Sequence, residues 1–406
     1  MVANDEFFQR PQAAAVLKHG VLARYATVFA AMAGSRTRRV VYLDGYAGAG
    51  RYDDGSPGSP LLAIRTAARS ATWGRAVECL FVEKKPALAA QLREVLTAEA
   101  PAELSYQVWD GDVADHVDEA LRVAGDDPML TFLDPFGAAL GYDLLTQRLL
   151  GRAAHQPSEV LLSLNLEMVR RIGGLLGASV PRDADQLTLG RLDATFGGDW
   201  WRAEFASVYR RGVDGSAAHA AMKVATSFVG QVRAATGCIA FGVPVRRRTT
   251  HAPLFLLLLF TRYPLAPWKF NEQVSLANAE WREACWQVDI DELIESLAGQ
   301  GEDMFGDSTS TWLREAEHGS WLAAQKTLEQ SWVQLIADNL RGLLAAQPSL
   351  RLGDHTRTVF GSTLGLARDK HVNAAWRQLA AAGEAAPKPP GTKHLERAWL
   401  SRQEPS

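Results

Sequence analysis

The stretch Val40 to Gly50, read as VVYLDGYAGAG, constrains this chain more than any other. Its apolar, partly β-branched half reads as a strand running into Asp44. The small-residue turn Gly45-Tyr46-Ala47-Gly48-Ala49-Gly50 then leads towards a later helix. In an open α/β sheet such a loop lies at the carboxyl edge, where ligands bind, because glycine lets backbone approach a ligand without interference from Cβ. An acid at the strand end can accept a hydrogen bond or pair with a cation. Glycine-rich turns after strands also serve as plain packing devices, so this loop needs companions before it carries a function.

The companions follow in order. Apolar positions at Val16, Leu17, Val21, Leu22, Tyr25, Val28 and Phe29 predict a leading helix that covers one sheet face. After the opening strand, the turn-rich Arg51 to Pro60 precedes a helix over Leu61 to Ala71, with Ser59 as cap and Pro60 at its first position. Strands are expected at Glu78–Glu83, Ser105–Asp110, Met129–Asp134 and Val160–Leu166, with helices over Pro86–Ala98 and Asp112–Val123 between them. Such a βαβ succession predicts a mostly parallel sheet with helices on both faces. Residues 167 to 235 read as a helical insertion. Cys238–Val245 and Leu254–Thr261 read as two further strands whose separation is too short for a crossover helix, so they should form an antiparallel hairpin at the sheet edge.

A composition shift after Ala298 marks a linker. Beyond it, helical patterns at Thr311–Glu317, Ser331–Ala346, Thr363–Ala367 and His371–Ala382, with the basic Pro387 to Lys393 turn, read as a winged helix-turn-helix. The expected division is therefore an N-terminal helical cover (1–39), a sheet domain (40–298, insertion about 167–235) and a C-terminal domain (299–406).

A net charge of −3 excludes a uniformly basic nucleic-acid coat. Charge is unevenly spread, however: Arg351 to Ser406 holds nine Lys or Arg against five Asp or Glu, or +4, which leaves −7 for the remainder. The three cysteines, Cys79, Cys238 and Cys285, include no CxxC pair, so neither a metal module nor a disulfide framework is expected. The longest apolar run, Pro253 to Phe260, is far too short to cross a bilayer, and no secretory core opens the chain; the expectation is a cytoplasmic protein without a membrane partner.

Asp44, Glu83, Asp112 and Asp134 stand at or just beyond the ends of four successive strands, and in a doubly wound sheet those ends line one crevice. Glu83 is placed to accept both ribose hydroxyls of a nucleoside. No phosphate clamp accompanies it, since GxxxxGK[ST] is absent and the loop lacks GxGxxG spacing. A nucleoside ligand without phosphates is favoured, and S-adenosylmethionine fits that description. Asn165 at the fifth strand's end, Arg170 and Arg171 after it, and the hairpin cluster Arg246, Arg247, Arg248 and His251 are candidates for holding an anionic substrate.

The terminal hairpin and DGYAGAG resemble the class I S-adenosylmethionine-dependent methyltransferases, whose Rossmann-like sheet has seven strands. More closely, YLDGYAGAGRY with GSPLLA, then FVEKK, FLDPFG and HAPLFLLLLFTRYPLAPWKFNEQV, resemble the three-Cys-motif partner proteins over most of the chain. That resemblance implies a methyltransferase-like fold associated with a cysteine-motif protein. By motif it also implies that Asp44, Gly45, Tyr46, Gly48 and Gly50 approach the methionine end of the cofactor, Glu83 the ribose and Asp112 the adenine. Asp134-Pro135-Phe136-Gly137 falls where methyltransferases acting on exocyclic amines carry Asp/Asn-Pro-Pro-Tyr/Phe; an oxygen there accepts from the amine while the aromatic ring stacks on a flipped base. Here the second proline is missing, and DPFG also resembles the tetrapeptide of tRNA guanine-N2 methyltransferases, so guanine N2 and adenine N6 both stay open.

The expected function is methyl transfer to an exocyclic amine of a DNA or RNA base, with Asp134, Pro135 and Phe136 at the reacting end. Two alternatives stand beside it: a non-catalytic accessory to a cysteine-motif protein, and a small-molecule methyltransferase of a biosynthetic cluster.

Overall fold

The computed structural model describes residues 13–135, 137, 140–177, 182–299 and 306–403. Phe136 lies outside them. Contacts divide the chain into two compact units between Tyr263 and Pro264. The sequence reading placed the boundary after residue 298; the long helix that follows Pro264 belongs instead to the second unit.

The first unit is built on a seven-stranded sheet in the order β3-β2-β1-β4-β5-β7-β6. Its strands are β1 (Arg39–Asp44), β2 (Ala76–Glu83), β3 (Tyr106–Asp110), β4 (Met129–Leu133), β5 (Ser158–Asn165), β6 (Ile239–Val245) and β7 (Phe255–Thr261). The first five are parallel, while β7 runs antiparallel between β5 and β6. The hairpin expected from the short β6–β7 connection is present, with β6 at the edge. Interior strands need apolar residues on both faces, and β7 (FLLLLFT) supplies a continuous run of them.

On one face lie α1 (Ala13–Thr37), α2 (Ser59–Ala71) and α3 (Pro86–Glu99). Leu17, Val21, Leu22, Tyr25 and Phe29 make α1's buried stripe, as their spacing predicted. The other face is covered by α4 (Val113–Ala124), a π-helical turn over Leu144–Leu149, and the insertion helices α5 (Leu166–Gly173), α6 (Asp183–Phe196), α7 (Trp200–Val208) and α8 (Ser216–Thr236). Its core joins Val41, Leu43 and Leu133 of the sheet to Val117, Phe196, Trp201, Phe205 and Phe228. One capping expectation changes. The N-cap of α2 is Gly58 rather than Ser59, which leaves the Ser59 hydroxyl to another partner.

The second unit holds α9 (Ala266–Gly299), α10 (Gly306–Ala346), β8 (Ser349–Arg351), α11 (Thr356–Phe360), α12 (Asp369–Ala381) and β9 (Trp399–Ser401), with β8 and β9 paired antiparallel. Where two helical patterns were expected, α10 is one helix, because nothing between residues 317 and 331 bars helix continuation. Thr363–Ala367, expected to be helix-like, is a turn through Gly365 at φ +81°. Side chains of α9 spaced one turn apart hold it: Asn271 donates to the Ala367 carbonyl at 3.0 Å, Ser275 to Leu366 at 2.5 Å and Asn278 to Gly365 at 2.6 Å. Trp268 and Trp376 are core residues whose indole N–H groups donate to Asp369 and to the Ala386 carbonyl.

Among the described residues no helix is long and apolar enough to cross a membrane. The three cysteines are buried, and no disulfide joins them.

Candidate functional site

Parallel β1 to β5 end at a common edge, and β6 is parallel to them through two antiparallel pairings, so its exit loop opens at that edge too. The strand order reverses direction beside β1, whose neighbours are β2 and β4. This is the topological switch point at which open α/β sheets form a crevice. Residues Gly45 to Gly50 lie over it. The loop is tied down by Gly45 N–H donating to Phe132 O at 3.0 Å and Ala47 N–H to Val82 O at 3.0 Å. Gly50 adopts φ +86°, and a Cβ there would stand 2.9 Å from Leu92 Cδ1, so the turn admits no larger residue without a shift.

Glu83 is the loop's main fastener. One carboxylate oxygen accepts from Gly48 N–H at 2.9 Å and the other from Lys85 N–H at 2.8 Å, which leaves each oxygen further lone-pair capacity towards the crevice. Asp112 caps α4 by accepting from Ala114 N–H at 3.1 Å and pairs with Lys84 at 2.9 Å on the exposed surface. Lys84 and the cap together hold its carboxyl below the ordinary range, although partial burial opposes them.

Asp44 is wholly buried. One oxygen accepts from Tyr46 N–H at 3.2 Å, while Oδ2 has no hydrogen-bond partner among the described residues. Burial pushes its pKa up to about 7, with Asp134 adding to the rise while the Ser59 hydroxyl, the Tyr46 amide and Lys18 oppose it. Beside it on the same strand face, the Tyr42 hydroxyl is also buried without a partner. Two unmet buried polar groups beside the switch point are costly unless water or a ligand supplies their partners.

Asp134 meets a residue that the sequence reading passed over. Lys18 of α1 reaches its Oδ2 at 2.5 Å, and both side chains are less than a fifth exposed. Burial works against the lysine's charge, but Asp134, with Tyr52 and Asp44, holds its pKa above the ordinary value. Next to it, His19 Nε2 lies 3.0 Å from the Tyr52 hydroxyl; burial and the Lys18 charge push that imidazole down to about 4, so it is neutral at pH 7. The signal in the sequence was positional. Lys18 shares the stripe of Leu22, Tyr25 and Phe29, where a charged residue must find a buried partner.

The remaining candidates lie over β5 to β7. Asn165 caps α5, its side-chain oxygen accepting from Met168 N–H at 2.8 Å, so that oxygen is engaged by the helix. Arg170 is half-buried and Arg171 exposed on α5. Arg246, Arg247, Arg248 and His251 occupy the β6–β7 loop, closed by His251 N–H donating to Arg248 O at 3.1 Å, and burial lowers the Arg246 pKa. The carboxyl edge is thus divided, with acids towards one end and the arginine loop towards the other. Asp44, Glu83 and Asp112 stand at the ends of β1 to β3, with Lys84 against the last; at β4 Asp134 and Lys18 neutralise each other, and the arginine loop follows β6. Such an edge can hold a ligand with a cationic centre and neighbouring hydroxyls on one side and an anionic group on the other.

The buried Asp44 makes stability depend on pH. A carboxyl that ionises near 7 when folded and near 3.8 when unfolded contributes stability fully present at low pH and lost as pH rises from 3.8 through 7. Asp44→Asn removes that loss, so it should raise the melting temperature at pH 8 but barely at pH 4; an equal shift at both pH values would contradict this. Neither family models nor curated proteins match the chain.

Proposed function

We propose that the first unit is an S-adenosylmethionine-dependent methyltransferase acting on an exocyclic amine of a nucleic-acid base. The observation that carries this reading is the charge-divided carboxyl edge around the Gly45–Gly50 loop, set in a sheet whose order and antiparallel β7 are those of class I methyltransferases. The residues present fit the cofactor. Asp44 offers an unpartnered carboxylate oxygen to a cationic amino-acid end, Glu83 has spare acceptor capacity for a ribose diol, and Asp112 lies beyond β3 for the base. When bound, the cofactor supplies an electrophilic methyl group.

Asp134 then accepts a hydrogen bond from the acceptor amine and orients its lone pair, with Pro135 setting the turn and Phe136 assigned to stacking from its place in DPFG. Arg170 and Arg246 to Arg248 draw in the phosphates of the substrate. The second unit fits a winged helix, with α11 and α12 as the helix-turn-helix, β8 and β9 as the ribbon, and residues 386–396 as the wing. It would serve the same nucleic acid, and a three-Cys-motif protein would be the partner of the whole.

The Lys18–Asp134 pair favours one other reading. If that pair never opens, Lys18 keeps Oδ2 and fixes the carboxylate so that Asp134 cannot turn to meet an amine, and the chain is a cofactor-binding accessory subunit without catalysis. Calorimetry with S-adenosylmethionine, followed by tritiated methyl incorporation into total DNA and RNA, decides between them. Binding with incorporation supports the methyltransferase, binding without incorporation supports the accessory, and no binding at millimolar ligand sinks both.

A further inference from the structure

Strand alternation should hide apolar residues of the β8–β9 ribbon and expose polar ones. Leu350 and Leu400 are directly paired and buried, as alternation requires. On the other face Ser349 opposes Ser401, their hydroxyls 2.8 Å apart, and Arg351 opposes Trp399. Trp399 is 62% exposed. Among the described residues no packing partner requires an indole there; Trp268, Trp332 and Trp376 of the same unit are core residues, while Trp312 of α10 is also exposed.

Along its own segment the charges are of one sign, while across the ribbon Arg351, the residue opposite Trp399, is paired with the half-exposed Asp354. Between Ala385 and Arg402 the basic residues are Lys388, Lys393, Arg397 and Arg402, and the sole acid is Glu396. Glu396 is buried and bound to Lys269 at 2.7 Å, so the segment presents only positive charge to solvent. It is also anchored. Lys388 Nζ donates to Asn373 of α12 at 2.7 Å, Trp376 Nε1 donates to Ala386 O at 2.8 Å, and Gly391 turns the tip at φ +76°. Lys393 and Arg397 are exposed on either side of the buried Leu395–Glu396 step.

We propose that Trp399 is a stacking platform for an unpaired nucleobase, with Lys393 and Arg397 holding the adjoining phosphates. An indole lying on a ribbon face can stack only on a base whose π-face is open, and in a duplex those faces are already covered. The second unit therefore selects single-stranded or looped nucleic acid. This rests on the nucleic-acid part of the proposed function but not on methyl transfer, because it is measured with no cofactor present.

The test uses the full-length protein and fluorescence anisotropy with labelled oligothymidylate of about 16 nucleotides, beside a duplex of the same length. The wild type should bind the single strand more tightly than the duplex. Trp399→Ala should weaken single-strand binding about 10-fold or more with an unchanged salt slope, and Trp399→Phe should restore most of it. Lys393→Gln with Arg397→Gln should instead lower the salt slope by roughly 1.4, at about 0.7 per phosphate contact on a single strand. Trp399→Ala binding as the wild type does, equal loss on duplex and single strand, failure of Trp399→Phe to rescue, or no binding of either oligonucleotide by the wild type would each overturn the proposal. The last outcome would turn Trp399 into a protein contact.

Discussion

Glu83→Ala is expected to lower affinity for S-adenosylmethionine at least 100-fold and to loosen the glycine loop. The carboxylate has two duties in one place. It accepts from Gly48 N–H and Lys85 N–H at 2.9 and 2.8 Å, and it is the acid placed to accept a ribose diol. Hydrogen bonds to a charged acceptor contribute about 1.5–3 kcal/mol each, so losing two towards the ligand is worth roughly 3 kcal/mol or more. Leaving Gly48 N–H without its acceptor adds about 1–3 kcal/mol of lost stability and leaves Ala47 N–H to hold the loop to β2. Glu83→Gln keeps one carbonyl but turns an amide donor towards a backbone N–H, so it should fall between. Calorimetry with the two variants and the wild type checks the series. Alanine binding as tightly as the wild type would remove Glu83 from the cofactor site.

Lys18→Met is the second change with a large expected effect. It keeps most of the aliphatic stem and removes the charge, leaving Asp134 with an unpaired carboxylate that is about four-fifths buried. Breaking a buried ion pair from one side costs about 3–5 kcal/mol, and the residual exposure of this pair reduces the expectation to roughly 2 kcal/mol. For a domain of this size that is a fall of about 4–8 °C in melting temperature. The double variant Lys18→Met with Asp134→Leu should recover much of it, because no buried charge remains. Melting curves of the two single variants and the double variant give the coupling. A double variant no better than the singles would mean that the pair contributes little. The same variants bear on function: an Asp134 released by Lys18→Met that then gains or loses methyl transfer identifies α1 as part of the reacting site, not merely a cover over the sheet.

The comparison of α1 with β1 explains why some of this was legible in sequence. β1, its terminal acid and its glycine loop are a local pattern: period, residue type and turn chemistry all lie within Val40 to Gly50, and the structure places each where the pattern put it. The same holds for Asp112, whose cap is formed with a residue two positions on. Lys18 is the opposite case. Its partner is 116 positions away, and only the folding of α1 onto the carboxyl edge brings the ammonium to Asp134. Ser59 shows a local rule overruled, since a residue suited to cap α2 instead eases the charge of Asp44 across the sheet edge.

The second unit repeats the lesson. Composition marked its basic tail, but helix propensity could not show that α10 runs unbroken or that Thr363–Ala367 is a turn held by three side chains of α9. Nor could twelve tryptophans be sorted by sequence into core and surface; strand register alone puts Trp399 outside and Leu400 inside.

What the sequence determined by itself was the order of strands and helices, the short β6–β7 connection that forces a hairpin, and the row of acids at successive strand ends. These depend on periodicity and on neighbours within a few residues. What only the tertiary structure decided was the charge state and company of those acids: Asp44 buried with one oxygen unmet, Glu83 fastening the loop, and Asp134 held by a lysine from the first helix. Burial and electrostatic pairing are properties of space rather than of chain distance, because the energy of a charge is set by whatever surrounds it once water has been removed.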